Sequence, residues 1–378
     1  MTATFNIAPR WVADTKELGW GTLPTANNSS IGENLVAWKD FQNLLYKSVA
    51  KGKLFDTNIV STYNLVPNSG VYVGGILSPS GEIHLVPGNA AVGQKIAANG
   101  VSSTYSLIYT NASYGYKGGV LSPTGEIHFI PAQNAAVGQK VAANNVVSTY
   151  TLAYTTTNAY NGGVLSPSGE IHFVPNNAAV GQKIAANNYV STYTLAATAS
   201  YSGGVLAPNG DIHFIPSSGT GQKVAANNYV STYTLAYTAS SAYNGGVLAP
   251  NGDIHFVPYF ANRGQKIAAN NYISTYSLIF TNGIQGAYNG GVLAPNGDIH
   301  FVPNGPYTTV GQKISINGTV STYNYFNSTN YAGGILAPNG EVYFIPNASG
   351  ALNVVQKIST MSSPFSLAIC ISPWFNKF

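Results

Sequence analysis

The sequence is poor in charge, in cysteine and in long apolar runs. Lys and Arg number 16 and Asp and Glu 12, so charged residues make up only 7% of 378, against about 25% in an ordinary soluble domain. A disordered chain combines low hydrophobicity with high net charge, and 45% apolar residues with a net charge of +4 meet neither condition. The same scarcity excludes a nucleic-acid binder that works by neutralising phosphates. It also excludes a coiled coil, whose composition leans on Glu, Lys and Arg. A single cysteine, Cys370, cannot form an intrachain disulfide framework. The longest apolar run, near Phe365 to Ile371, is broken by Ser and too short to cross a bilayer. The first residues hold no basic segment followed by an apolar core, so neither a secretory signal nor membrane insertion is expected.

What fills the space is Gly (41), Tyr (26), Asn, Ser and Thr, arranged in repeats. A Gly-Gly-(Val/Ile)-Leu unit begins at Gly74, Gly118, Gly162, Gly203, Gly245, Gly290 and Gly333, at spacings of 44, 44, 41, 42, 45 and 43 residues. Each unit continues into Pro-x-Gly-(Glu/Asp)-Ile-His-Phe, then a variable loop, Gly-Gln-Lys, Asn-Asn and Val-Ser-Thr-Tyr. Four short β-type runs per repeat, seven times over, predict an all-β, seven-bladed propeller of four-stranded blades. Pro-Asn-Gly, as at Pro250–Gly252, suits the turn between the first two strands. Asn227-Asn228 suits the turn between the last two, because Asn tolerates left-handed geometry. The paired glycines allow the innermost strands to converge on the axis.

Strand counting predicts how the ring closes. A Val-Ser-Thr-Tyr run occurs at Val60, before any Gly-Gly unit, and none follows Gln356-Lys357-Ile358. Residues 60–66 should therefore supply the outer strand of the last blade, removing a pair of exposed edges. The chain divides into 1–59, an aromatic arm with one amphipathic helix; 60–360, the propeller; and 361–378, an aromatic tail. The helix is expected to start at the capping box Ser30-Ile31-Gly32-Glu33 and to stop at Gly52. Trp11, Trp20, Trp38, Phe41, Trp374 and Phe375 in these ends are candidates for docking on a partner.

The repeats place a histidine at one position, His84, His128, His172, His213, His255 and His300, with Tyr343 in the seventh. An acid stands two residues earlier in each blade, on the same face of the strand. A metal or catalytic ring would need these side chains to converge, so a repeated structural hydrogen bond is the expected role, with no metal and no cofactor. Each repeat also carries one lysine, Lys95, Lys140, Lys183, Lys223, Lys266, Lys313 and Lys357, which balances its acid. No acid is left over to act as general acid or base beside near-identical neighbours, and no nucleophile elbow or phosphate loop occurs. The chain is therefore expected not to be an enzyme.

Tyrosines recur at two further positions. One set ends the Ser-Thr-Tyr run and is expected to pack between blades. The other precedes the Gly-Gly pair, often with Asn after it. Tyr116, Tyr160, Asn161, Tyr201, Tyr243, Asn244, Tyr288 and Asn289 are therefore candidates for a ligand-binding rim, where aromatic faces and amides suit a sugar or a protein. Loops between the second and third strands vary from four to eight residues and are the place for specific contacts.

The core Gly-Gly-Val-Leu-Ala-Pro-Asn-Gly-Asp-Ile-His-Phe-Val-Pro resembles the short repeats of kelch-like and NHL-like propellers over about residues 60–360. It departs from the WD-repeat type, having no Trp-Asp dipeptide. It is also similar, in its uncharged Asn-, Thr- and Tyr-rich strands, to propeller repeats of virus and bacteriophage proteins. That resemblance implies a structural component of a virion, assembled in a host cytoplasm and held by other structural proteins or a second copy of the chain. The expected function is a scaffold or attachment module, with a multivalent carbohydrate-binding lectin as the alternative.

Overall fold

A computed structural model describes residues 59–359, apart from 68–69, 111–112, 134, 306–307, 309, 325–329 and 348–353. The aromatic arm, its expected helix and the C-terminal tail lie outside the described residues. Among the described residues 28 β-strands form seven four-stranded sheets. The first blade consists of Tyr72–Leu77, Ile83–Pro87, Val92–Ile96 and Ser102–Ser106, in that order from the axis outward. Five more blades repeat this order, beginning at Tyr116, Tyr160, Tyr201, Tyr243 and Tyr288.

The seventh blade closes the ring as the strand count predicts. Tyr331–Leu336, Glu341–Pro346 and Val354–Ser359 come from the end of the propeller, and Ile59–Asn64 adds the outer strand. The added strand is antiparallel, with Thr62 opposite Gln356. The inner strands of the first and seventh blades then pack side by side. Both ends of the ring are thus covered by sheet from the other end of the chain.

Local chemistry explains the hairpins. In Ala249-Pro250-Asn251-Gly252 the glycine N–H bonds Ala249 O at 3.0 Å, and Gly252 takes a φ of +86°. The Asn251 side chain accepts from the Asp253 N–H at 3.0 Å and fixes the exit of the turn. At the other turn Asn228 takes a φ of +65°, and Asn227 Oδ1 accepts from the Tyr229 N–H at 3.0 Å. At the axis, a Cβ on Gly118 would lie 3.0 Å from Gly162 Cα, so a side chain there would separate two inner strands.

The core lies between blades. The middle of each second strand is fully buried, as with Phe173, Phe214, Phe256 and Phe301 at 0% exposure, and each such Phe contributes about 1.5–3 kcal/mol by leaving water. A second link is polar. The Gln of each Gly-Gln-Lys is buried and bonds the connection arriving from the preceding blade. Gln139 Oε1 accepts from the N–H groups of Ile108 and Tyr109 at 2.9 and 2.8 Å, and Gln312 does the same for Ile279 and Phe280. In the first blade Gln94 Nε2 donates to Val66 O at 3.0 Å, carrying the link across the closure.

Candidate functional site

Six of the seven blades are wedged by a cluster built from the second, third and fourth strands. His255 is 5% exposed, and its Nδ1 lies 3.2 Å from the Tyr276 hydroxyl, with the two rings edge to face at 5.4 Å. Tyr276 lies opposite Gly264 in the strand register, and a Cβ on Gly264 would sit 2.1 Å from its ring. The glycine therefore leaves the space that the ring fills. The Ser-Thr-Tyr tyrosines also pack between blades, as expected, Tyr233 against the cluster that holds Tyr243 and Phe256 and Tyr193 against the one that holds Tyr201 and Phe214.

Charge in the wedge is internally matched. Glu82, Glu126 and Glu170 each hold a lysine at 2.7 Å, and Asp253 holds Lys266 at 2.7 Å. The acid also faces the histidine, as in His172 Nε2 to Glu170 at 3.7 Å. In the seventh blade Tyr343 replaces the imidazole and donates to Glu341 at 3.1 Å. The adjacent His172 and the ion pair with Lys183 outweigh burial and hold Glu170 down at about 2. Burial, only partly opposed by the neighbouring acid, holds His84, His128, His213 and His255 down at about 4. The imidazoles are therefore neutral packing groups at neutral pH. Among the described residues no three His, Cys, Asp or Glu side chains converge.

The expected tyrosine rim is not a rim. Tyr116, Tyr160, Tyr201, Tyr243 and Tyr288 are at most 2% exposed and point into the core between blades. Tyr116, Tyr160, Tyr243 and Tyr288 donate to the carbonyls of Val137, Val180, Arg263 and Val310 at 3.1–3.3 Å. Buried rings with engaged hydroxyls cannot stack on a sugar, which corrects that assignment. The asparagines are half-buried and form a belt from blade to blade. Asn161 donates to Tyr201 O at 3.3 Å, Ser202 to Tyr243 O at 2.9 Å, Asn244 to Asn289 O at 3.4 Å, and Asn289 to Tyr331 O at 2.8 Å. Their amides lace the inner strands together. Trp11, Trp20, Trp38, Phe41, Trp374 and Phe375 lie outside the described residues.

Two features escaped the sequence reading. The first is an arc of exposed tyrosines on the turn face. Tyr189, Tyr229 and Tyr272 follow the Asn-Asn turns of the third, fourth and fifth blades and are 68, 67 and 68% exposed. A tyrosine beside a turn asparagine, rather than in a strand, was the available signal. The second is Lys117, an eighth lysine of the ring, at the belt position that Val73, Asn161, Ser202, Asn244, Asn289 and Ala332 occupy elsewhere. Counting one lysine per repeat hid it. Lys117 is half-buried, and burial lowers its pKa with no acid to oppose the shift.

No family model matches the chain, and no curated protein matches it. Solved structures do. A streptogramin B lyase is 18% identical, with a TM-score of 0.69 over 81% of this chain and 99% of its own. A catalytically inactive histidine-to-alanine variant of virginiamycin B lyase from Staphylococcus aureus, with quinupristin, is also 18% identical, at 0.69 over 80% and 99%. YCF48 bound to a D1 peptide is 10% identical, at 0.60 over 82% and 98%. At these identities the likeness concerns the fold.

The chain is an all-β, seven-bladed propeller.

The virginiamycin B lyase among these structures is bacterial, and none of the three named structures supports the expected kelch-like, NHL-like or viral type. The expectation that the chain is not an enzyme is overturned, because a lyase shares this fold over 99% of its length. Near-identical blades do not preclude catalysis, since one altered position is enough to break the symmetry. In this chain Lys117 is such a position.

Proposed function

We propose that the protein is a multivalent binding propeller that engages a neutral, hydroxyl-rich surface, a glycan, through the arc of Tyr189, Tyr229 and Tyr272. The exposure of these three rings supports the reading. Large aromatic side chains standing two-thirds in water, at one position in three consecutive blades, offer repeated apolar faces with a polar tip. The acids of the same face are tied up. Glu82 and Glu126 are held by Lys95 and Lys140, and each also accepts an amide from the next blade, from Asn145 at 3.4 Å and Asn188 at 3.3 Å. An arc of aromatic rings among matched charges favours an uncharged partner over an ionic one.

The reading moves the carbohydrate function from the buried tyrosines to the exposed ones. It keeps the attachment role without requiring a virion. A glycan array probed with the full chain, followed by titration of the best binder, tests it. Changing Tyr229→Ser should weaken binding about tenfold, since an aromatic contact contributes about 0.5–1.5 kcal/mol beyond its area. Changing all three should remove avidity worth about 10²-fold or more. An array without binders, or a triple variant that binds as the parent does, would overturn the reading.

A further inference from the structure

The connection between the second and third strands is shortest in the fourth blade, with four residues between Pro216 and Gly221 against five to eight in the other six. The shortening removes a plug. Three residues before the glycine, five blades bury a small side chain, Ala90, Ala135, Ala178, Ala261 or Thr308, at 0–4% exposure. Ser218 holds that position in the fourth blade and is exposed.

Two ties that hold this connection elsewhere are missing as well. In the second and third blades an aromatic arriving from the preceding blade, Tyr109 or Tyr154, accepts through its hydroxyl from the N–H of Ala136 or Ala179, at 3.3 or 3.4 Å. The fourth blade has Ala197 there. Its N–H bonds Gln222 at 2.9 Å, which fixes the same register, but it has no hydroxyl to offer Gly219. In five blades the first-strand tyrosine donates to the carbonyl just before the glycine, as Tyr243 does to Arg263 at 3.1 Å. The equivalent acceptor in the fourth blade is Thr220. The buried hydroxyl of Tyr201 reaches neither it nor any other partner among the described residues.

A cavity of about 360 Å³ opens along this connection. Ser218, Thr220, Thr234 and Thr238 line it with hydroxyls, and Leu235 and Ala239 give it an apolar wall. Among the described residues no charged side chain lines it. Its volume lies at the small end of ligand sites, which span about 300–1,000 Å³. We propose that this cavity binds a small neutral polyol of monosaccharide size. A hydroxyl both donates and accepts, so four of them match the ring of hydroxyls on a sugar, whose C–H face packs on Leu235 and Ala239. A charged ligand would give up water here without meeting a counter-charge. The cavity stands at the end of the blade opposite the turns that carry the tyrosine arc. It is a separate site, and its test does not depend on glycan capture by the arc.

The experiment is titration of the full chain, followed by NMR, with the methyl glycosides of glucose, galactose and mannose. Cyclohexanol and gluconate serve as the apolar and the anionic comparison. At least one glycoside should bind with a Kd of about 1–10 mM, and cyclohexanol and gluconate at least about tenfold more weakly. Thr234 and Thr238 are exposed, so Thr234→Val with Thr238→Val keeps the shape of the cavity and removes two hydroxyls. The double change should weaken the glycoside about tenfold or more, because its hydroxyls lose their partners. Ser218→Phe, also at an exposed position, should block the cavity and abolish binding. Binding of none of the three glycosides, equal binding of cyclohexanol or gluconate, or glycoside binding that survives either set of changes would each overturn the proposal.

Discussion

The mid-blade wedge and the axial belt obey opposite rules. In the wedge of six blades the same four groups recur: histidine, tyrosine over glycine, acid and lysine. The seventh blade departs twice, with Val355 opposite Tyr63 in place of glycine and with Tyr343 in place of histidine, yet Tyr343 still donates to Glu341, at 3.1 Å. In the belt the corresponding residue is Asn, Ser, Ala, Val or Lys. It is bonded to its neighbour across four junctions and not at Lys117. A position that is filled identically in six of seven blades is there for packing. One that is satisfied in some blades and left charged in another is free to carry something else.

The contrast can be broken most forcefully at the wedge. Gly221→Val puts a side chain into the space of the Tyr233 ring, which a Cβ would already approach to 2.1 Å. The variant should lose about 3 kcal/mol or fail to fold, read as the urea midpoint. A change below about 1 kcal/mol would show that the ring moves aside freely.

Acid should attack the same region. In the folded chain four imidazoles titrate near 4 instead of 6.5. Between those values the unfolded chain therefore binds more protons. The stability they contribute is fully present above 6.5 and is lost as the pH falls towards 4. Depression of Glu170 to about 2 extends the loss below 4.5. Thermal unfolding followed from pH 7 to 4 should show Tm falling steeply. In His255→Tyr, which copies the seventh blade, the fall should be shallower. A flat profile would mean that the imidazoles are not held neutral.

The belt should respond less. Asn289→Ala removes bonds to Asn304, Asn330 and Tyr331 and should cost about 1–2 kcal/mol, because the half-buried partners lose their donor. No loss in the urea midpoint would show that the belt does not hold the blades together.

The ring, its turns and its closure by residues near 60 were legible because each depends on local chemistry repeated seven times. Turn glycines and asparagines announce positive φ, and a missing Ser-Thr-Tyr run announces a borrowed strand. Side-chain destinations were not legible in the same way. Tyr243 and Tyr229 sit beside similar neighbours in the sequence, yet one is 1% and the other 67% exposed. Only the stacking of adjacent blades decides which is covered. The tyrosine of the Ser-Thr-Tyr run reads as an inter-blade residue, but that its ring also fills the space over a glycine of its own blade appears only when the register sets Tyr276 opposite Gly264. The buried Gln of Gly-Gln-Lys reads as an ordinary polar strand residue, since its partners arrive from the preceding blade. Lys117 was visible as a departure from the repeat, but a consensus suppresses departures, and that none of the seven acids among the described residues pairs with it appears only when each is seen to hold the lysine of its own blade.

The most direct test of the division between wedge and belt is the thermal stability of Lys117→Met. Removing a half-buried cation that pairs with no acid among the described residues, while keeping its length, should leave Tm unchanged or raise it, by an amount worth up to about 1 kcal/mol. A Tm well below that of the parent would show that Lys117 is held by the structure and contributes to it, and the distinction drawn between the two regions would fall.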